Sequence, residues 1–241
     1  MEGLFDDRSK YLDRFGLLLA VTAASVAALS LVDLSAPPGD LDTELGELAA
    51  TALVGATFLL ALRASGVTRL WRRYADVFIG AIVVVSVVVL VVSQASETPR
   101  SLIGPLVTSR PLVLVILSVL APVVVVRRLF RHRRVTKSTL LAAISAYLLL
   151  PLAFYYVFLA VDAHQATPFF GRPEPTTSFM YFSLTTLTTL GYGDLAAVTP
   201  LGRMLATAEA VVGQVYLVTL VAMLVGLYAQ RRRADDGDEA A

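Results

Sequence analysis

Thr188, Thr189, Leu190, Gly191, Tyr192, Gly193 and Asp194 follow one another as the run TTLGYGD. Gly191 and Gly193 carry no Cβ, so the backbone there can take conformations closed to other residues. Consecutive carbonyls can then all be turned toward one axis. Oxygens so directed form a ligand set for a bare cation, and four such strands around an axis would stack them into rings that replace the ion's water shell.

The run resembles the selectivity filter of the potassium channel family. The resemblance implies ion binding at Thr189, Leu190, Gly191, Tyr192 and Gly193, through the carbonyls of the first four, with the Thr189 hydroxyl closing the innermost site. It implies K+ as the permeant ion, and no cofactor is expected. From Leu140 to Arg233, about two fifths of the chain, the order of segments is similar to that family's pore module: outer helix, turret, pore helix, filter, inner helix. Filter support falls to Thr188, Asp194, Tyr181, Thr185 and Glu209. Tyr181 and Phe182 stand where the family often has two bracing aromatics, although core packing explains them equally well. Thr185 stands where some members have a carboxylate, and Leu190 replaces the more usual valine.

The flanking elements must hold this strand in place. Pro168, Gly171, Pro173 and Pro175 keep the turret, Asp162 to Pro175, out of regular structure. Thr176, Thr177 and Ser178 offer N-cap hydroxyls for a helix from Phe179 to about Thr188. Such a helix is roughly 15 Å long, half a bilayer, and its carbonyl end directs a negative dipole at the membrane centre. Thr185 and Thr186 either support the filter or bond back to their own helix.

The inner helix, Leu201 to Tyr228, contains Gly213, which fits a hinge or, with Ala206 and Ala210, a close helix contact. Glu209 lies roughly 10 Å past the outer start of that helix. A carboxyl at such depth is costly unless paired or neutral, and points to a function or to a buried protein contact. Hydroxyls of Thr185 or Thr186 are its expected partners.

Of 241 residues, 56% are hydrophobic, too many for polar side chains to cover a soluble domain, so the sequence reads as an all-α membrane protein. Six apolar stretches serve as spans: Phe15 to Val32, Leu45 to Leu62, Tyr74 to Val92, Leu112 to Val126, Leu140 to Val161 and Leu201 to Tyr228. With the re-entrant pore helix and filter they complete the predicted fold. One filter sequence per chain makes four-fold coordination a matter for a homotetramer. There is no cysteine, and His132 and His164 lack ligand spacing, so no other metal site is expected.

The net charge of +1 hides a segregation by loop. Asp33 to Glu47 holds five carboxylates and no Lys or Arg, whereas Arg63, Arg69, Arg72 and Arg73 fill the next loop and Arg231, Arg232 and Arg233 follow the last span. Basic loops alternate with non-basic ones, which places both termini in the cytoplasm and the filter outside. Preference for Arg over Lys suggests a prokaryotic plasma membrane.

Six spans with the pore between the last two share the topology of voltage-gated channels. Counting in threes from Arg110, however, the fourth span offers Val113, Ile116, Val119, Pro122 and Val125. None can move charge through the field. Arg127, Arg128, Arg131, Arg134 and Lys137 come after the apolar run and read as a cytoplasmic linker facing anionic lipid heads, with a displaced sensor as the alternative. Asp76, at the cytoplasmic end of the third span, is either a solvated end residue or a partner for one of these arginines.

The predicted divisions are a cytoplasmic N-terminus (1–14), a four-helix sensor-like domain (15–126), a basic linker (127–139), a pore domain (140–230) and a disordered tail (231–241). A potassium-selective channel with weak voltage dependence is the leading reading. A potassium transporter subunit and a nonconducting scaffold are the alternatives. Enzymatic chemistry lacks a nucleophile, base and orienter set, and no nucleic acid is expected among the partners.

Overall fold

A computed structural model describes residues 3–33, 41–64, 73–74, 76–77, 79–81, 84, 87, 100–129 and 137–238. The regular elements are α-helices: α1 (Gly3–Leu31), α2 (Leu41–Ala64), α3 (Arg100–Leu129), α4 (Lys137–His164), α5 (Thr176–Leu187) and α6 (Pro200–Asp238). The described residues between 73 and 87 are helical as well, and there is no strand among the described residues.

Helix α4 is the hub. It packs against α1, α3, α5 and α6. Its side chains explain this: Ala142, Ala143 and Ala146 are buried and let neighbouring backbones approach, while Leu149, Leu152, Tyr155 and Phe158 fill the space further along. Pro151 lies inside the helix without ending it. Helices α1 and α2 are joined through buried hydroxyls, with Ser25 Oγ 3.3 Å from Thr57 Oγ1.

Among the described residues one helix, Thr139–His164, is long and apolar enough to cross a membrane. Shorter apolar helical stretches occupy Phe15–Leu31, Ala52–Arg63 and Leu114–Arg127. Most of the span expected from Tyr74 to Val92 lies outside the described residues, as do Arg131, Arg134 and His132.

Several boundaries differ from the sequence reading. Helix α1 begins at Gly3, inside the segment expected as a separate N-terminus. Helix α6 continues to Asp238, so residues 231–238 are helical where a disordered tail was expected. The run from Ala229 through Ala234 consists of strong helix formers, and nothing breaks the helix before Gly237. The expected linker is shorter than 127–139, since α3 ends at Leu129 and Lys137 already opens α4. Asp76 pairs with Arg63 at 3.1 Å, where α2 and the following helical residues meet; the pair is half exposed and adds little stability, and the linker residues Arg131 and Arg134 lie outside the described residues.

Candidate functional site

The short helix α5 carries the site. It spans Thr176–Leu187, three residues earlier at its start than the sequence indicated. Its N-cap is Pro175, which makes no side-chain cap. The expected hydroxyl cap is replaced by the carboxylate of Asp33. The backbone N–H and the hydroxyl of Thr176 both donate to Asp33 Oδ1, at 2.9 and 3.0 Å, and Ser178 Oγ donates to Glu174 Oε2 at 3.1 Å. A negative charge at this end also suits the helix dipole. Asp33 follows α1, so the first helix is tied to the start of α5. Glu174 is paired with Arg172 at 2.5 Å, and that guanidinium, ahead of the Ser178 bond, holds the carboxyl below its ordinary range.

The turret folds inward through aromatic side chains. Phe169 is fully buried, with ring centroids 5.0 Å from Phe158 and 5.8 Å from Phe182, and Phe170 lies 5.3 Å from Phe182. Phe169 N–H donates to Asp162 Oδ1 at 2.7 Å, and Val198 N–H to Phe169 O at 3.0 Å, which closes the turret over the end of α4. Phe182 therefore belongs to the aromatic core.

Tyr181 faces the other way. Its hydroxyl donates to Asp194 Oδ1 at 3.2 Å, and its ring stacks on Tyr192 at 6.3 Å with 4° between the planes. Tyr192 and Asp194 are thereby both held by one residue of α5.

The strand from Thr189 to Gly193 has an unusual backbone. φ is +59° at Thr189, +50° at Gly191 and +83° at Gly193, and is not positive at Leu190 or Tyr192. An extended strand sends successive carbonyls to opposite sides; reversing the sign of φ at every second residue turns the peptide planes so that they can share one side. Thr189 takes this conformation although it is β-branched, an outlier that a surrounding structure must hold in place. The hydrogen bonds that do so are Thr189 N–H to Thr186 O at 3.0 Å and Gly191 N–H to Thr185 O at 3.2 Å. The Thr189 hydroxyl donates to Thr188 O at 2.7 Å and accepts from Gln214 Nε2 at 3.3 Å.

Residues 142–230 match the ion channel family. No curated protein and no solved structure matches the chain. The matched segment runs from the buried alanines of α4 into the later part of α6 and encloses Thr188 to Asp194. Together with the apolar helix at Thr139–His164, this match supports a membrane protein with an ion-channel segment.

Within the ion-channel segment, α6 meets α5 at successive levels. Glu209 contacts Ser183, Gly213 abuts Leu187, and Gln214 reaches Thr189. Glu209 is fully buried, and its Oε1 is hydrogen-bonded to Ser183 Oγ. The expected partners were Thr185 or Thr186. Thr185 Oγ1 instead bonds back to Phe182 O at 3.1 Å, and Ser183 occupies the face of α5 that α6 covers. Thr188 is likewise bonded back, to Leu184 O at 2.6 Å.

At Gly213 a Cβ would lie 2.8 Å from Leu187 O and 2.7 Å from Leu187 Cδ1, so the glycine allows close approach of the two helices. Further inward, Tyr216 donates to Ala143 O at 2.6 Å and stacks on Tyr147, which locks α6 to α4. Asp33, Ser183, Gln214 and the turret phenylalanines were not singled out by sequence. Their types are ordinary, and only the tertiary register brings them to the site. Among the described residues no group of three or more His, Asp or Glu side chains could hold a metal ion.

Proposed function

We propose that the protein is a homotetrameric potassium-selective channel whose filter is built from Thr189 to Gly193. The observation that carries this reading is the alternating sign of φ at Thr189, Gly191 and Gly193 within the sequence TLGYG. Carbonyls turned to a shared side offer K+ the oxygen ligands it loses on shedding water. The pore helix adds its carbonyl end to the same region.

A tetramer is supported by what a single chain leaves uncovered. All residues from Thr188 to Asp194 are exposed, including Leu190 at 60% and Tyr192 at 68%, although they hold a strained backbone. Met204, Val211, Val215 and Val218 form an exposed apolar flank on α6. Four copies around one axis would cover both. Purified protein in liposomes should pass K+ down its gradient, read with a potential-driven fluorescence assay; a membrane as tight as protein-free vesicles would support the scaffold instead.

The basic residues from Arg127 to Lys137 are proposed to face anionic lipid rather than to sense voltage. Between Pro111 and Val126 α3 carries no charged residue, and moving one charge through 100 mV supplies only about 2.3 kcal/mol, so steep gating needs several charges in the field. Weak voltage dependence is therefore the expected result. Joint neutralisation of Arg128, Arg131 and Arg134 should change assembly or the response to anionic lipid more than the slope of the conductance curve. A steep curve that flattens in this triple variant would identify a displaced sensor.

A further inference from the structure

Ser183 is shared between two acceptor groups. Its Oγ lies 2.9 Å from Pro151 O on α4 and in hydrogen-bond contact with Glu209 Oε1 on α6, and both side chains are fully buried. A hydroxyl has one proton to give and a backbone carbonyl has none. If that proton goes to Glu209, then Pro151 O loses its serine bond and the carboxylate remains buried, since Oε2 has no partner among the described residues. No cation among the described residues forms an ion pair with Glu209. The titratable side chains on the elements packed against it include Tyr147, Tyr155, Tyr156, Asp162 and His164 on α4 and Tyr181 on α5; among the described residues none of them hydrogen-bonds it. An isolated buried charge is far costlier than a neutral group with a bond.

From this geometry we infer that Glu209 holds its own proton and donates it to Ser183, which in turn donates to Pro151 O. The result is a neutral relay that joins inner helix, pore helix and outer helix behind the filter. Every proton is then used once, and both buried oxygens of the bonded pair are satisfied. Glu209 acts as a positioning residue: one turn along the same seam, Gly213 abuts Leu187 O, and Gln214 meets Thr189. The inference deepens the proposed role of the filter and rests on it for its effect on ion flow, while the proton itself can be observed without any flow.

Infrared difference spectra of the full-length protein in K+-containing lipid should show a carboxylic-acid C=O band that vanishes in Glu209→Gln. The band should move to higher frequency in Ser183→Ala, where its acceptor is gone. A Glu209→Gln difference confined to carboxylate bands, or an acid band that Ser183→Ala leaves unmoved, overturns the relay. In K+ flux, loss of the shared hydroxyl should cost about tenfold in Ser183→Ala, the scale of a buried group left unpaired. Glu209→Gln, whose amide N–H can replace the acid proton, should retain several-fold more flux than that variant, and equal flux in the two contradicts the donor role. Should Ser183→Ala fail to assemble, the wild-type and Glu209→Gln spectra decide. A wild-type protein that passes no K+ removes the channel reading and leaves the infrared result standing.

Discussion

Gly191→Ala should abolish K+ conduction while leaving assembly intact. The glycine has φ of +50°, where an alanine is disfavoured by about 1–2 kcal/mol. A Cβ there would meet nothing within 4 Å in the single chain, so the penalty lies in the backbone conformation rather than in a clash. If the strand relaxes to negative φ, the peptide plane turns and removes a carbonyl from the row, and in a tetramer the same change occurs four times around one ion. Size-exclusion chromatography should therefore show the wild-type species, and bilayer recordings should show no K+ current. Wild-type currents from this variant would mean that the positive φ at Gly191 is not needed for permeation.

The second large effect is expected at Gly213. An added Cβ would stand 2.7 Å from Leu187 Cδ1, 3.1 Å from its Cγ and 2.8 Å from its carbonyl oxygen. The side chain can turn aside, but the oxygen belongs to the last residue of the pore helix and moves only with the backbone. Gly213→Ala should thus separate α6 from α5 at the base of the filter, at an overpacking cost of about 1–3 kcal/mol per subunit. Thermal unfolding of the variant should begin at a lower temperature and its K+ current should fall sharply. Gly226→Ala supplies the comparison, because a Cβ there meets nothing within 4 Å. If Gly213→Ala keeps full thermal stability and alters only opening and closing, the residue is a hinge and not a packing contact.

The sequence reveals the strand but not its clamps. Gly191 and Gly193 are legible because a backbone that needs positive φ selects for glycine, and local chemistry alone explains them. Thr189 has the same φ and gives no such sign, since its conformation is imposed by Thr186 O, Thr188 O and Gln214. The depth of Glu209 marks it as a residue with a role, yet its partner depends on which face of α5 meets α6. That register comes from packing: Gly213 against Leu187, and Phe182 turned into the aromatic core.

Capping shows the same limit. Thr176 to Ser178 look like a self-sufficient helix start, and the cap instead comes from Asp33, far away in sequence. No local pattern records such a contact. The helix ends were also misjudged where polar residues follow an apolar run, at residues 231–238, because hydropathy locates a span and not the end of its helix.

The central claim is that the TLGYG strand selects K+, and a bi-ionic reversal potential tests it most directly. Purified protein in a planar bilayer, with potassium salt on one side and sodium salt on the other, should reverse far from zero, at a voltage that opposes K+ flow and barely depends on the sodium side. A reversal potential at zero would show a pore that does not distinguish the two ions and would contradict the account.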